Sequence, residues 1–415
     1  MDGPRLTVLI TAKQHPRYAA TVVESAVPLP DPTGEFEIDA ACPPLQPLVD
    51  SLADAVTGHE LLEELGDLLF RSLFAGNLGR AWALNWQKAV DQRCETVRLL
   101  LRIPASLTEL WAIPWQYMFD RETRHWLGAS PGRPRCLMSY HIDATHRDVI
   151  PVQPPLRILV VCATPSDLPP VRAAQEVRAI RSALTPLTAT GAAAIAVLEN
   201  ATWQGLEARL SLSSPAGGAS QTRPLGPHVV HFIGHGQVIG NTPCLALERN
   251  DGMAEFIPAA QLEFVLRASE ALRLVILNAC ESERVALAVA QGGIATVGAR
   301  FRIEDATAVQ FAGPFYRALA QGEPVDSAAN AGRVALWTAT GAETRDWGLP
   351  VVLAPGGQLD LFRILPVRPV NKSATPPQPR PTEPRSPILT WVVGLLVAGL
   401  LIAGAIGFRL LSVAP

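Results

Sequence analysis

Between Leu156 and Pro355 the sequence alternates predominantly apolar runs with amphipathic stretches, and no other feature restricts the fold as much. The runs are Leu156–Cys162, Ala192–Leu198, His228–Ile233, Leu272–Leu277, Ile294–Val297 and Val351–Leu353. Between them Val171–Leu184, Leu206–Leu212, Pro258–Arg267, Ala306–Ala320 and Asp326–Trp337 carry apolar residues at helical spacing. A strand with apolar residues at both odd and even positions is buried on both faces. The pattern therefore predicts an α/β fold, with a mostly parallel sheet sandwiched by helices. The Ser/Gly/Pro-rich stretch Ser211–Pro227 interrupts the alternation and reads as a surface loop.

Residues 1–150 have a different texture. Leu6–Thr11, Ala19–Glu24 and Glu35–Ile38 read as short strands, with a turn at Asp31–Gly34. Leu45–Phe74 reads as helical, Thr96–Ile103 as a further strand, and Leu107–Phe119 as a helix broken at Pro114. The tryptophans at 82, 86, 111 and 115 have near-helical spacing, which predicts packing. This part is expected to be an α+β N-terminal lobe over 1–150, joined near Pro151–Pro155 to the main lobe over 151–365.

The tail has two segments. Pro366–Pro387 is rich in Pro, Ser, Thr and Arg and reads as an extended linker. From Ile388 to Phe408 no side chain is ionisable, and about 20 apolar residues span a hydrocarbon core. A transmembrane helix is therefore expected over 388–411, with Trp391 at one interface and Arg409 at the other. Upstream charges are Arg363, Arg368, Lys372, Arg380 and Arg385 against Glu383, a bias that predicts a single-pass protein with its N-terminal part in the cytoplasm. Small residues at Gly394/Ala398, Gly399/Ala403 and Ala403/Gly407 offer a face for homo-oligomerisation. A formal net charge of −3 without any basic stripe argues against nucleic-acid binding. The cysteines at 42, 94, 136, 162, 244 and 280 form no C-x-x-C and stand at no zinc-finger spacing, and nothing at Met1–Arg5 predicts a secretory signal. Free thiols in a reducing compartment follow, with no metal or cofactor expected.

Two segments stand apart: His231-Phe232-Ile233-Gly234-His235-Gly236 and Leu277-Asn278-Ala279-Cys280-Glu281-Ser282. Each directly follows a strand-like run, and reactive groups in parallel sheets collect beyond the carboxyl ends of strands. His235 and Cys280 stand 45 residues apart at the ends of consecutive runs, a separation similar to that between caspase histidine and cysteine. An imidazole can take a thiol proton and later return one to a leaving amine. Gly236, lacking a Cβ, can bring its N–H to a substrate carbonyl and form an oxyanion hole with the Cys280 N–H. His231 and His235 at i,i+4 would suit a metal on a helix, but the segment is strand-like, so a metal site is not expected and His231 should point away or stabilise the loop. Cys162 and Cys244 read as structural.

The segments VVHFIGHG and LVILNACES resemble the two motifs of CHAT domains, a caspase-like group of cysteine peptidases. Pro114–Tyr117 is similar to that family's Pro-Trp-acid motif, with Gln116 in the place of the acid. Leu156–Pro165 with Glu176, Asp305–Arg333 and Trp347–Pro350 match further stretches, so the resemblance spans roughly 1–360. It implies His235 as general base, Cys280 as nucleophile and Gly236 as oxyanion donor. Basic-specific relatives place an acid two residues before the cysteine, where this chain has Asn278. Asp305 has two readings: a substrate-binding acid, or a helix N-cap before Ala-Thr-Ala-Val. The resemblance implies cleavage of a specific protein partner in bacterial stress, defence or cell-death systems. The alternative is a catalytically silent adaptor that keeps the fold as an interaction surface at the membrane.

Overall fold

The computed structural model describes residues 3–52, 57–210, 226–280, 282–301 and 305–365. Most of the expected Ser211–Pro227 loop, the linker 366–387 and the transmembrane span 388–411 lie outside the described residues. Among the described residues no helix is long and apolar enough to cross a membrane.

The N-terminal part comprises β1 (Arg5–Ala12), β2 (Arg17–Glu24), β3 (Thr33–Glu37), α1 (Leu45–Ser51), α2 (His59–Leu73), α3 (Gly76–Asp91) and β4 (Thr96–Arg102). It continues through α4 (Thr108–Trp111), β5 (Phe119–Asp120), β6 (His125–Trp126), β7 (Arg135–Ile142) and β8 (Ile150–Val152). Next come β9 (Leu156–Cys162), α5 (Ala173–Ala189), β10 (Ala193–Leu198), α6 (Trp203–Leu210) and β11 (Val229–Ile233). β12 (Gly236–Ile239), β13 (Thr242–Glu248) and β14 (Ala254–Pro258) form a separate antiparallel sheet. The chain then runs through α7 (Ala259–Ala268), β15 (Leu274–Asn278), α8 (Glu283–Gln291), β16 (Ala295–Ala299), α9 (Asp305–Ala320), α10 (Val325–Thr340), β17 (Pro350–Pro355) and β18 (Phe362–Ile364).

The expected continuous helix over Leu45–Phe74 is instead the pair α1 and α2. Gly58, which precedes α2, has φ 83°, a left-handed conformation that interrupts a helix and that glycine adopts without strain. The expected break at Pro114 separates α4 from a single 3₁₀ turn at Trp115–Tyr117.

The main sheet has the order β10-β9-β11-β15-β16-β17-β7-β4-β1-β2-β3. β10 through β16 are mutually parallel. β17, β7, β4 and β1 form a second parallel block, which meets the first antiparallel at β16–β17. Strands from residues 1–150 and from 151–365 thus share one mostly parallel sheet, and the described residues form one compact unit. In the first block α5 packs on α9 and α9 on α10, while α6, α7 and α8 pack in sequence with one another. Strands so covered bury both faces: every residue of β11, β16 and β17 is buried, matching their continuous apolar sequences.

Arg333, on α10, ties residues 1–150 to the rest of the chain. It is 1% exposed and donates to the carbonyls of Gly128, Met138 and Pro350. Loss of hydration pulls its pKa down to about 10, still well above neutrality, so a buried cation is held by main-chain dipoles. Arg98 and Asp326 pair across the same junction at 2.8 Å.

Candidate active site

β11 and β15 are adjacent and parallel, with Ile233 opposite Asn278. His235 and Cys280 each lie two residues beyond that last matched pair, so the register delivers both to one rim of the sheet. Strand ends are where the backbone leaves the ladder and side chains face solvent. Cys280 is a partly exposed free thiol there.

The main chains of the two segments touch. A Cβ built on Gly236 would lie 2.3 Å from the Cys280 carbonyl oxygen and 3.4 Å from the Ala279 Cβ. Only glycine permits that approach. The Ala246 N–H donates to the His235 carbonyl at 3.0 Å, and Gly236 pairs in register with Leu245. Main-chain groups alternate in direction along an antiparallel strand, so the N–H of Gly236 points away from β13.

His235 Nε2 lies 2.7 Å from the carbonyl oxygen of Pro169. A carbonyl only accepts, so Nε2 carries the hydrogen and Nδ1 of the neutral ring is left as the acceptor. The loop after β9 that supplies this carbonyl is tied to the small sheet. Thr164 N–H donates to Glu248 Oε1 at 2.7 Å, Ser166 N–H to Gly252 O at 2.9 Å, and Ala254 N–H to Asp167 Oδ1 at 2.8 Å. The carbonyl that fixes the imidazole tautomer is therefore itself fixed.

Behind Cys280 the chain is clamped. Ser282, fully buried, donates its hydroxyl to Leu277 O and accepts from Ala299 N–H, both at 3.0 Å, joining the ends of β15 and β16. Arg300 donates to Glu283 Oε1 and to Trp111 O, each at 2.5 Å. Burial raises the Glu283 carboxyl while the Arg300 charge opposes that rise. α8 begins at Glu283, three residues beyond Cys280.

His231 turns into the core. Its Nδ1 lies 2.8 Å from Tyr316 Oη and its Nε2 lies 2.8 Å from Glu176 Oε1. Burial, helped by the Glu176 charge, raises Tyr316 well above its ordinary range, so its hydroxyl keeps its proton and donates to Nδ1. His231 Nε2 then donates to Glu176, whose second oxygen accepts from Asn278 Nδ2 at 2.5 Å. Asn278 is drawn inward by this chain, with Oδ1 as its remaining acceptor. A cavity of about 30 Å³ adjoins Glu176, His231, Asn278, Thr307, Phe311 and Leu336. Asp305 opens α9, and its side chain lies outside the described residues.

The geometry thus brings together the segments carrying His235, Gly236 and Cys280, with Asn278 two residues below the thiol. The described residues contain no group of three or more His, Cys, Asp or Glu side chains able to hold a metal.

The family model described as the CHAT domain matches residues 60–404, most of the chain. The chain belongs to the CHAT-domain family. That places it in the caspase-like group of cysteine peptidases implied by its two motifs. Comparison with curated proteins finds no match. Among solved structures it is similar to the Arg-specific cysteine proteinase gingipain R, at 11% identity over 76% of this chain and 75% of that one, TM-score 0.41. It is also similar to separase in the Saccharomyces cerevisiae separase–securin complex, at 9% identity over 85% of this chain and 30% of that one, TM-score 0.45. The Drosophila initiator caspase Dronc matches at 7% identity over 53% of this chain and 95% of that one, TM-score 0.32.

Two contributors to this CHAT site escape a sequence reading, and a third was open to one. The Pro169 carbonyl is main chain and has no side-chain signature. Ser282 sits inside the cysteine motif, but its bond to Ala299 depends on β16 lying alongside. Glu176 had a legible signal: with Ala173, Val177, Ile180 and Leu184 it occupies the buried stripe of α5, where an acid demands a partner.

Proposed function

We propose that this CHAT protein is a membrane-tethered cysteine endopeptidase, with Cys280 as nucleophile and His235 as general base and then acid. The observation that carries the reading is the 2.7 Å bond from His235 Nε2 to Pro169 O, beside a glycine packed on the main chain of Cys280. A scaffold has no need of a histidine locked in one tautomer. In the reaction, Nδ1 takes the thiol proton and the sulfur bonds to the scissile carbonyl carbon. The N–H groups of Gly236 and Cys280 hold the resulting oxyanion. The C–N bond breaks as His235 protonates the departing amine, leaving a thioester. Water then gives a proton to His235 and attacks the thioester, releasing the acid and restoring the thiol. Asn278 Oδ1 is proposed to meet the substrate side chain that precedes the cleaved bond.

The tether is proposed from residues 388–411, with the catalytic part in the cytoplasm and the linker 366–387 as its stalk. At about 3.1 Å per residue that stalk reaches several tens of ångströms, favouring a protein substrate near the bilayer. A role in bacterial stress, defence or cell death follows from the family resemblance.

Cys280→Ala and His235→Ala should each abolish cleavage of the partner that co-purifies with the Cys280→Ala chain, with circular dichroism unchanged. Normal cutting by either variant would sink the dyad. A chain ending at Leu365 should leave the membrane fraction, and its retention there would refute the anchor.

A further inference from the structure

A second recess is lined in part by the loop that holds His235. It is a cleft of about 700 Å³ at the carboxyl ends of β9 and β10, within the range of ordinary ligand sites. Its apolar wall includes Leu168, Val171 and Val177, and its polar side carries Arg178, Arg181 and Glu199. Arg178 and Arg181 are three residues apart on α5 and so share a face. Both are exposed, and neither forms an ion pair among the described residues. Glu199 is the one carboxylate among the lining residues, so the cleft has an excess of positive charge.

We infer that this cleft docks an acidic segment of the protein substrate, on the C-terminal side of the cleaved bond; the inference rests on the dyad reading above. His235 protonates the departing amine, so the chain that follows the scissile bond leaves on the His235 side of Cys280. In the sheet order β9 and β10 lie beyond β11 on that side. Strands are spaced about 4.8 Å apart, so β10 stands roughly 10 Å from β11, the length of about three extended residues. Residues some three to five positions after the cut thus reach Arg178 and Arg181. Guanidinium groups pair with carboxylates in a planar, two-bonded geometry, while the apolar wall takes alternate side chains. The same loop lines the cleft through Leu168 and Pro170 and supplies the Pro169 carbonyl to His235, so occupancy bears directly on the catalytic imidazole. Cys162 at the cleft floor is no second nucleophile: burial, with Glu176 and Glu199 nearby, pushes its thiol up to about 11.

The test is fluorescence anisotropy on the full Cys280→Ala chain in non-ionic detergent. The probe is a fluorescein-labelled peptide of alternating glutamate and leucine, compared with the same peptide carrying glutamine for glutamate. The glutamate peptide should bind more tightly, and less so as salt rises. The double variant R178Q/R181Q should weaken it roughly 3- to 10-fold, whereas Glu199→Gln should strengthen it. Equal binding of the two peptides, no binding of either, or affinity unmoved by these substitutions would overturn the docking site. Binding here does not depend on chemistry, so its failure is separable from failure of the dyad. An intact wild-type chain that cuts no partner would sink the dyad and leave this measurement standing.

Discussion

Replacing Gly236 by alanine probes the contact on which the site is built. The added Cβ would sit 2.3 Å from the Cys280 carbonyl oxygen, and 3.5 Å from its carbonyl carbon. A carbon and an oxygen in van der Waals contact need more than 3 Å, so one of the two segments must retreat by roughly 1 Å. Neither is free to yield. Cys280 is bracketed by β15 and by Ser282, whose hydroxyl joins Leu277 to Ala299. β12 is held by its register with β13. Forced repacking of this kind costs about 1–3 kcal/mol of stability. The kinetic loss should be larger, because the retreat moves an oxyanion donor out of range, and one such donor is worth about 10²–10³ in rate. The assay compares two labels of Cys280. A peptidyl acyloxymethyl ketone must form a tetrahedral oxyanion and should slow by about 10²–10³-fold. Iodoacetamide needs only the thiolate and should change by less than about 5-fold. Gly240→Ala is the control, since Gly240 has φ 62° with nothing within 4 Å, so it carries backbone strain but no clash with Cys280. Ketone labelling of Gly236→Ala within a few-fold of wild type would refute the oxyanion geometry. Equal slowing of both labels would assign the effect to thiol exposure instead.

The interior chain through Glu176 makes a stability prediction. Glu176→Ala leaves His231 Nε2 and Asn278 Nδ2 without their acceptor, at about 1–3 kcal/mol for the buried histidine donor and less for the half-buried amide. Glu176→Gln retains one acceptor and should cost about half as much; equal losses in urea unfolding would refute the network. His228 predicts an acid limit. Burial, with the charges of Arg157 and Arg273, lowers its pKa from 6.5 to about 3, and its Nδ1 accepts from Arg157 N–H at 3.0 Å. The unfolded chain takes up this proton near pH 6.5 and the folded chain only near 3. The contribution is therefore whole above pH 6.5 and declines as pH falls toward 3, by about 1.4 kcal/mol per pH unit. His228→Gln should flatten that part of the unfolding curve by one proton, and an unchanged slope would exclude His228 as its source.

The strands of the first parallel block were legible because burial on both faces writes itself as a run without polar alternation. β9 occupies the expected Leu156–Cys162, and β11 and β15 run into the two motifs, ending at Ile233 and Asn278, two residues before His235 and Cys280. The strand-end position of His235 and Cys280 follows from that reading alone, whereas membership of the CHAT family rests on the two motifs and the family model over residues 60–404. The small sheet β12–β14 was not legible. Its first strand alternates partly buried and exposed over four residues, too short a pattern to separate from a loop. β7 also went unread, although seven of its pairings join β4 and the chain's far end meets it through β17.

Sequence alone determined which segments become buried strands and which residue types cluster at their ends, because local burial dictates local composition. It also placed an unbroken apolar run at 388–408, a property of composition and length. Tertiary structure decided everything that rests on non-local main-chain contact. The union of residues 1–150 with the rest in one sheet is written in backbone hydrogen bonds, which every residue type except proline can donate. The same holds for the carbonyl of Pro169 on His235 and for the approach of Gly236 to Cys280. Those contacts fix the tautomer of a histidine and the main-chain packing beside a cysteine at neighbouring strand ends.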